Sequence, residues 1–223
     1  MLKLDSEATT NSTDAIVQAL EFDILFGVLH PRERLVEDAL MRRFEAKRHV
    51  VREALARLDR MGIVVRTPHR GAAVRDFTVD EVEEIAEVRA TLHQAAVKRM
   101  DLPGGAKFVA TLERLQRRHD KAVAHQDPRA IDIANEAFHD AFFAACGNRV
   151  LASAIRHYWY LSRATRLYPL MDASMLETLR AEHWSMIEAI ASGDRRALGR
   201  LVVDHIQHSK RMYLKARSAV FHR

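Results

Sequence analysis

Apolar residues recur at helical spacing along most of the 223-residue chain. Ile16, Val17, Leu20, Ile24, Leu25 and Val28 form one stripe. A helix is therefore expected from Thr13 or Asp14, either of which can cap it, to the break at His30-Pro31. A short second helix is expected over about 36–43, with Val36, Leu40 and Met41 facing inward. Phe44-Glu45-Ala46 reads as a turn. A third helix should run over about 47–61, with Val50, Val51, Ala54, Leu55, Leu58 and Met61 on its inner face and Gly62 as its stop. The period then changes. Ile63-Val64-Val65-Arg66 and Ala72-Ala73-Val74-Arg75 are short β-type runs around the turn sequence Thr67-Pro68-His69-Arg70-Gly71. Three helices followed by a hairpin is the order of a winged helix-turn-helix.

Beyond Asp76 the helical period returns. Thr78 and Glu81 have the spacing of a capping box, ahead of a stripe of Val82, Ile85, Val88 and Leu92. Leu102-Pro103-Gly104-Gly105 breaks that helix. Further helices are expected over 106–125, 128–147, 149–168, 175–192 and 194–218, jointed at Asp127-Pro128, Gly147-Asn148, Tyr168-Pro169 and Gly193-Asp194. No strand pattern interrupts them, so an all-α bundle follows. The expected architecture is mainly α. A disordered arm (1–12) precedes a winged helix-turn-helix DNA-binding domain (13–76) and an all-helical ligand-binding and dimerisation domain (77–220).

Composition agrees: 48% of residues are hydrophobic and 29% charged, and only 8 Gly and 5 Pro argue against a turn-rich β fold. The formal net charge is +5, and its distribution says more than its size. Residues 30–75 carry twelve Arg and Lys, whereas Asp80, Glu81, Glu83, Glu84 and Glu87 cluster just beyond. The positive excess therefore sits in the first third, as a polyanionic partner would require. The single cysteine, Cys146, allows no intrachain disulfide and fits a reducing compartment. No apolar signal region and no run of 18 apolar residues occurs, so a soluble, cytoplasmic protein without a membrane partner is expected.

A recognition helix enters the major groove with its N-terminal half. Here that half is Lys47-Arg48-His49-Val50-Val51-Arg52-Glu53. Arg48 and Arg52 are four apart and share a face from which they can reach base edges or phosphates. Arg34, just before the second helix, is placed for the DNA backbone. His69-Arg70-Gly71 at the wing tip can enter a minor groove, whose negative potential attracts Arg and His. A solvated basic face is the other reading, and the better one for Arg57 and Arg60.

The helical domain holds candidate metal ligands. Asn135 and His139, four apart, project from one helix face, and His183 and His205 lie on two later helices. Side chains from several bundle helices can converge on one metal. From spacing alone, exposed or structural histidines remain the competing reading.

A resemblance now becomes specific. Pro31-Arg32-Glu33-Arg34-Leu35-Val36-Glu37, Val50-Val51-Arg52-Glu53-Ala54-Leu55-Ala56-Arg57-Leu58, Gly62-Ile63-Val64-Val65-Arg66 and Arg70-Gly71-Ala72-Ala73-Val74 together resemble the GntR family of regulators. The resemblance implies that Arg34, Arg48, Arg52, His69, Arg70 and Gly71 contact operator DNA. The chain departs from the family pattern at Arg32, where Gly is usual, at Lys47, where Ser or Thr is usual, and at Val50, where Pro is usual. The first implies a stiffer turn and the others a different base preference.

Downstream, Asn135-Glu136-Ala137-Phe138-His139 with Cys146-Gly147-Asn148 resembles the FCD effector domain of the FadR subfamily, as do Glu182-His183, Ile187, Ala189-Ile190 and Asp194. His205 follows at the distance of the last ligand. The resemblance implies that positions 135, 139, 183 and 205 hold a divalent metal, often zinc or nickel, at the floor of a pocket for a small carboxylate effector. Asn135 replaces the usual Asp, which implies weaker metal binding and a more positive site. Arg89 matches an arginine position of the family, His93 stands where Glu is frequent, and Arg163 and Arg166 are further candidates for the carboxylate. Trp159 and Tyr160 are candidates to line the pocket, with core packing or a dimer contact the better reading, and His119 and His208 are expected in structural or exposed roles. The resulting expectation is not an enzyme but a homodimeric, effector-released repressor on a palindromic operator. A metal-dependent hydrolase and a sequence-non-specific DNA-binding protein are the alternatives.

Overall fold

The computed structural model describes residues 11–25, 28–67, 71–167 and 172–221. Most of the expected N-terminal arm lies outside these residues, as do His69 and Arg70 of the expected wing tip. The chain divides into two units, Met1–Phe77 and Thr78–Arg223.

In the first unit, helices α1 (Thr13–Leu25), α2 (Glu37–Arg43) and α3 (Arg48–Arg60) accompany strands β1 (Arg34–Leu35), β2 (Val64–Thr67) and β3 (Gly71–Val74). The antiparallel sheet has the order β1-β3-β2, with Val64 opposite Val74 and Leu35 opposite Ala72. β1 was not anticipated, because two residues are too few to show a period. Ile16 and Leu20 of α1 meet Val51, Leu55 and Leu58 of α3 and Ile63 in one apolar core. Leu58 and Leu55 therefore anchor α3 from behind and leave its basic side in solvent.

Two expected core positions are corrected. Val28 is 63% exposed, because α1 stops at Leu25 and the Val28 and Leu29 amides turn back to the Asp23 carbonyl. Val36 is 55% exposed, because the extended β1 delivers it to the N-cap position of α2, outside that helix's inner stripe. Gly62 adopts φ 74° between α3 and β2, a conformation that carries little steric cost without a Cβ. Arg32 adopts φ 68° at a position where glycine would be easier. Its N–H donates to the Val74 carbonyl and its side chain pairs with Asp76 at 2.7 Å, which holds the turn in place.

The second unit contains α4 (Val79–Arg99), α5 (Ala106–Ala124), α6 (Pro128–Ala144), α7 (Arg149–Leu161), α8 (Arg163–Leu167), α9 (Ala173–Ser192) and α10 (Arg195–Phe221). Each joint is closed by local chemistry. The Thr78 hydroxyl accepts from the Glu81 amide and the Glu81 carboxylate accepts from the Thr78 amide, so the capping box forms at the start of α4. Asp127, Asn148 and Asp172 cap α6, α7 and α9 through their side-chain oxygens. Gly193 ends α9 in a left-handed conformation, φ 79°. Phe138, Phe142, Leu112, Met186, Ile190 and Leu198 are fully buried at the centre.

Two readings of this unit change. Val88 and Ile85 are not the inner stripe of α4. Val82, Ala86, Arg89, His93, Ala96 and Val97 are, and Val88 faces solvent. The expected helix over 149–168 is broken at Ser162, whose hydroxyl bonds back to the carbonyls of Tyr158 and Trp159. Such back-bonding competes with the helical ladder and bends the chain. Among the described residues, no helix is long and apolar enough to cross a membrane.

Thr78→Ala removes one half of the capping box and is expected to cost about 1 kcal/mol. Trp159 and Trp184 both belong to this unit, so urea unfolding followed by tryptophan fluorescence reads the loss directly. An unchanged midpoint would show that the cap contributes nothing.

Candidate nucleic-acid face and candidate metal centre

The basic side of the first unit is set by α2 and α3. Lys47 occupies the N-cap of α3 and makes no side-chain cap bond. Lys47, Arg48, His49 and Arg52 are all exposed on the first turns of that helix, and Arg34 is exposed on β1. Arg48 lies 2.6 Å from Asp38 and 3.6 Å from Glu37, and Arg52 lies 3.0 Å from Glu37. The acids of the first turn of α2 therefore hold both guanidiniums side by side. Ion pairs this exposed are worth about 0–1 kcal/mol, so a phosphate or a base edge can displace them at little cost. Gly71 opens β3 at φ 85°, with open space around its Cα. His69 and Arg70 lie outside the described residues. Arg57 pairs instead with Asp14 of α1.

The second unit gathers polar side chains that its apolar stripes do not account for. His139 of α6, His183 of α9 and His205 of α10 offer ring nitrogens that all lie within 4.8 Å of one another. His183 Nε2 and His205 Nε2 are 3.3 Å apart. The protons of these rings point away from each other. Gln116 Oε1 accepts from His183 Nδ1 at 2.8 Å, and Glu182 Oε2 accepts from His205 Nδ1 at 2.8 Å. Gln116 is itself oriented, because its amide N–H donates to Asp120, which also accepts from Arg180 and Trp184. Both rings thus direct Nδ1 outward to an acceptor and turn Nε2 inward.

His139 completes the group. Neither of its ring nitrogens has a hydrogen-bond partner among the described residues, although both are buried. Burial, then the neighbouring imidazoles, holds the pKa of His139 and of His183 well below the ordinary histidine value. Three imidazoles whose ring nitrogens converge are a donor set for a borderline cation. Tetrahedral zinc, with bonds of about 2.0–2.1 Å to nitrogen, would place its ligand atoms about 3.3 Å apart. The residues therefore fit a divalent transition metal, and the Gln116 and Glu182 contacts are of the kind that fix ligand tautomers.

A small cavity adjoins this group. Arg89, His119, Asp132, Asn135, Trp159, Arg166, His183 and His205 are among its walls. Asn135 stands one turn before His139 on α6 and brings a neutral carboxamide to the cavity. Arg166 lies 3.5 Å over the Trp159 ring and Arg89 lies 5.8 Å from the same ring, while the His139 ring is 4.5 Å away. The break at Ser162 produces this arrangement, since it turns α8 back across Trp159. Arg163 is paired with Asp132. His93 is buried against Phe143 rather than among the cavity walls, and burial followed by the charge of Arg89 lowers its pKa.

The structure thus brings Asn135, His139, His183 and His205 together and places Arg89 and Arg166 beside them. Arg163 is one ion pair removed, and His93 sits behind. Trp159, for which pocket lining was the second reading behind core packing, is buried and also lines the cavity. Other members were missed by the sequence reading. His119 is buried beside His183, with ring centres 5.3 Å apart, instead of structural or exposed elsewhere. Gln116, three residues before His119 on the same face of α5, was a usable signal, because a pair of polar residues on an inner stripe is unusual.

The sequence profile described as bacterial regulatory proteins, gntR family, matches residues 12–74, and that of the FCD domain matches residues 84–208. An uncharacterised HTH-type transcriptional regulator of Bacillus subtilis, YdhC, is 26% identical over 187 residues, 83% of each chain. The HTH-type transcriptional repressor GlaR of Escherichia coli is 24% identical over 195 residues, 84% of this chain and 89% of its own. The solved structure of E. coli McbR/YncC has the same fold, with a TM-score of 0.70, 19% identity, and coverage of 97% of this chain and 100% of its own. These matches are to transcription regulators and not to enzymes, so the hydrolase alternative falls. With a gntR-type DNA-binding module followed by an FCD domain that occupies more than half of its length, the chain belongs to the GntR-type transcriptional regulators that carry an FCD domain.

Proposed function

We propose that the protein is a homodimeric repressor, released from a palindromic operator by a small organic acid that binds beside a divalent metal in the helical unit. One observation carries this reading: three imidazoles cluster within metal-binding reach of one another, and two of them line the same cavity as two buried guanidiniums. Relatives named as repressors support the direction of control. The metal is zinc or nickel, since three imidazoles and an amide suit borderline ions better than hard ones. Such an ion supplies positive charge and open coordination positions for a carboxylate. His139, His183 and His205 hold it, with Asn135 as the fourth side chain. Arg89 and Arg166 face the acid, Arg163 keeps Asp132 neutralised, and His93 backs Arg89.

Arg34, Lys47, Arg48, His49 and Arg52 contact DNA, together with His69, Arg70 and Gly71 of the wing. Arg48 and Arg52 exchange Glu37 and Asp38 for base edges and phosphates. The side-chain cap that α3 lacks at Lys47 leaves its N-terminal dipole to a phosphate. The acid acts only by binding the DNA-competent and DNA-incompetent states unequally. Helix α4 is the natural lever, because it follows the winged unit directly in sequence and carries Arg89.

Arg48→Ala and Arg52→Ala are each expected to weaken binding to an operator selected from random duplexes by about 1–3 kcal/mol, with the circular dichroism spectrum unchanged. Unchanged gel-shift affinity would remove these residues from the interface. Equal affinity for operator and random duplex would instead favour the non-specific binder. The metal is tested separately. His183→Ala should reduce bound zinc or nickel, measured by elemental analysis after dialysis, from about one ion per chain to a trace. Equal metal content in the variant, or none in the parent protein after reloading, would end the metal reading.

A further inference from the structure

The cavity carries more positive charge than its own walls neutralise. Asp132 is the only acid among its described lining residues, and its ion pair is with Arg163 rather than with Arg89 or Arg166. Arg89 and Arg166 remain. Arg89 is 4% exposed and its Nε has no hydrogen-bond partner. Arg166 is 7% exposed, and although its Nε donates to the Trp159 carbonyl, both of its terminal nitrogens are without one. The indole N–H of Trp159 is likewise buried and unpartnered. Burial lowers the two guanidiniums to about 10 and about 9 respectively, which still leaves both charged at neutral pH.

The histidine group does not offset this. Its imidazoles bring no negative charge, and the side chain that joins them, Asn135, is an uncharged amide. Two positive charges therefore face the cavity before any cation is bound, and a divalent ion raises the number to four. A single carboxylate answers one of them. The orphaned atoms around Trp159 are donors, so the missing partner is rich in acceptors. Its acidic groups must also be separated. The Trp159 ring stands against both Arg166 and His139, so guanidinium and imidazole are no farther apart than their two distances to that ring combined. That short span limits the chain between the acidic groups to a few carbons.

Building on the proposed effector site, we infer that the occupant is a short dicarboxylic acid, with one carboxylate at the imidazole group and the other on Arg89 and Arg166. The paired guanidiniums select for the second charge, because a monoacid leaves them as unanswered as they are in the empty cavity.

The test uses the full-length chain, loaded with zinc and dialysed free of small acids. Calorimetry and thermal shift compare succinate with butyrate and malonate with propionate, pairs matched in carbon number, alongside succinamide and inorganic phosphate. At least one diacid should bind tenfold or more tightly than its matched monoacid, with succinamide inert. Arg166→Gln and Arg89→Gln should erase that ratio while zinc content stays at the parent level. Arg166→Gln without ligand should melt no lower than the parent, since it removes an unanswered charge; a guanidinium with a merely structural role would lower the melting temperature. Should Arg166→Gln not fold, Arg166→Lys, which keeps the charge but not the fork, should lower the ratio only in part. Monoacids that bind as well as diacids, or a ratio that survives both Gln variants, would overturn the inference and leave the effector site standing. Phosphate binding as tightly as the best diacid would also overturn it, in favour of one compact anion. Binding by none of these acids would overturn the inference and the effector site together.

Discussion

A guanidinium or an imidazole taken out of water must be paired, or it costs the fold stability. The helical unit buries Arg89, Arg166, His93, His119, His139 and His183 inside a bundle otherwise built from Phe, Leu, Ile, Met and Ala. Much of its remaining architecture serves that constraint. Asp120 draws in Arg180, Trp184 and Gln116, so that Gln116 can fix the proton of His183. Glu182 does the same for His205 and brings His208 within 2.6 Å on its other oxygen. Phe138 stacks on the His183 ring at 4.4 Å and keeps the face of that imidazole dry. The partners stop there. His139, Trp159 and the two guanidiniums are left with buried polar atoms that nothing among the described residues answers, and such orphans are rare enough in folded proteins to mark where something else binds.

The winged unit solves an opposite problem. Its exposed charges stay in water and yet keep a common direction. Leu55 and Leu58 bury one side of α3, and the acids at the start of α2 hold Arg48 and Arg52 on the other. Because those pairs are exposed, they orient the side chains without committing them. The turn into β1 shows a similar economy. Arg32 accepts a left-handed backbone and compensates through Asp76 and the Val74 carbonyl, so the departure from glycine there leaves the sheet register intact.

Most elements were legible in the chain because their signals are local. The capping box at Thr78, the Asp and Asn caps at 127 and 148, and the glycine at 193 act within one turn, and each sits where its chemistry requires. The hairpin was visible because β2 and β3 flank a turn sequence. β1 was not, since its two residues are strand only by pairing with β3 across the unit. The Ser162 break was also hidden. A serine inside a helical stripe ordinarily points to solvent, and its bond to the Trp159 carbonyl depends on the local bend itself. The histidine group was reached through motif resemblance, because four positions spread over three helices have no common period.

The most informative misreading is that of α4. Its hydrophobic pattern points to Val88 and Ile85, yet the face that enters the bundle carries Arg89 and His93. A helix that followed its apolar residues alone would have rotated to bury Val88. It does not, because Ala86, Ala96 and Val97 lie on the same side as Arg89, and small side chains there allow α4 to pack closely on α10. The same departure recurs on α5 at Gln116 and His119, on α6 at Asp132 and His139, and on α9 at His183. Each helix buries a polar pair or single side chain on an otherwise apolar stripe, and each of these side chains lies in or near one cavity. Hydrophobic periodicity locates a core by assuming that polar residues face water. Where several helices break that assumption at the same place, the free energy lost in burying them has to be recovered by something they bind. The site is therefore written in the chain as a set of coincident errors in its own amphipathic pattern, which only the assembled bundle brings into register.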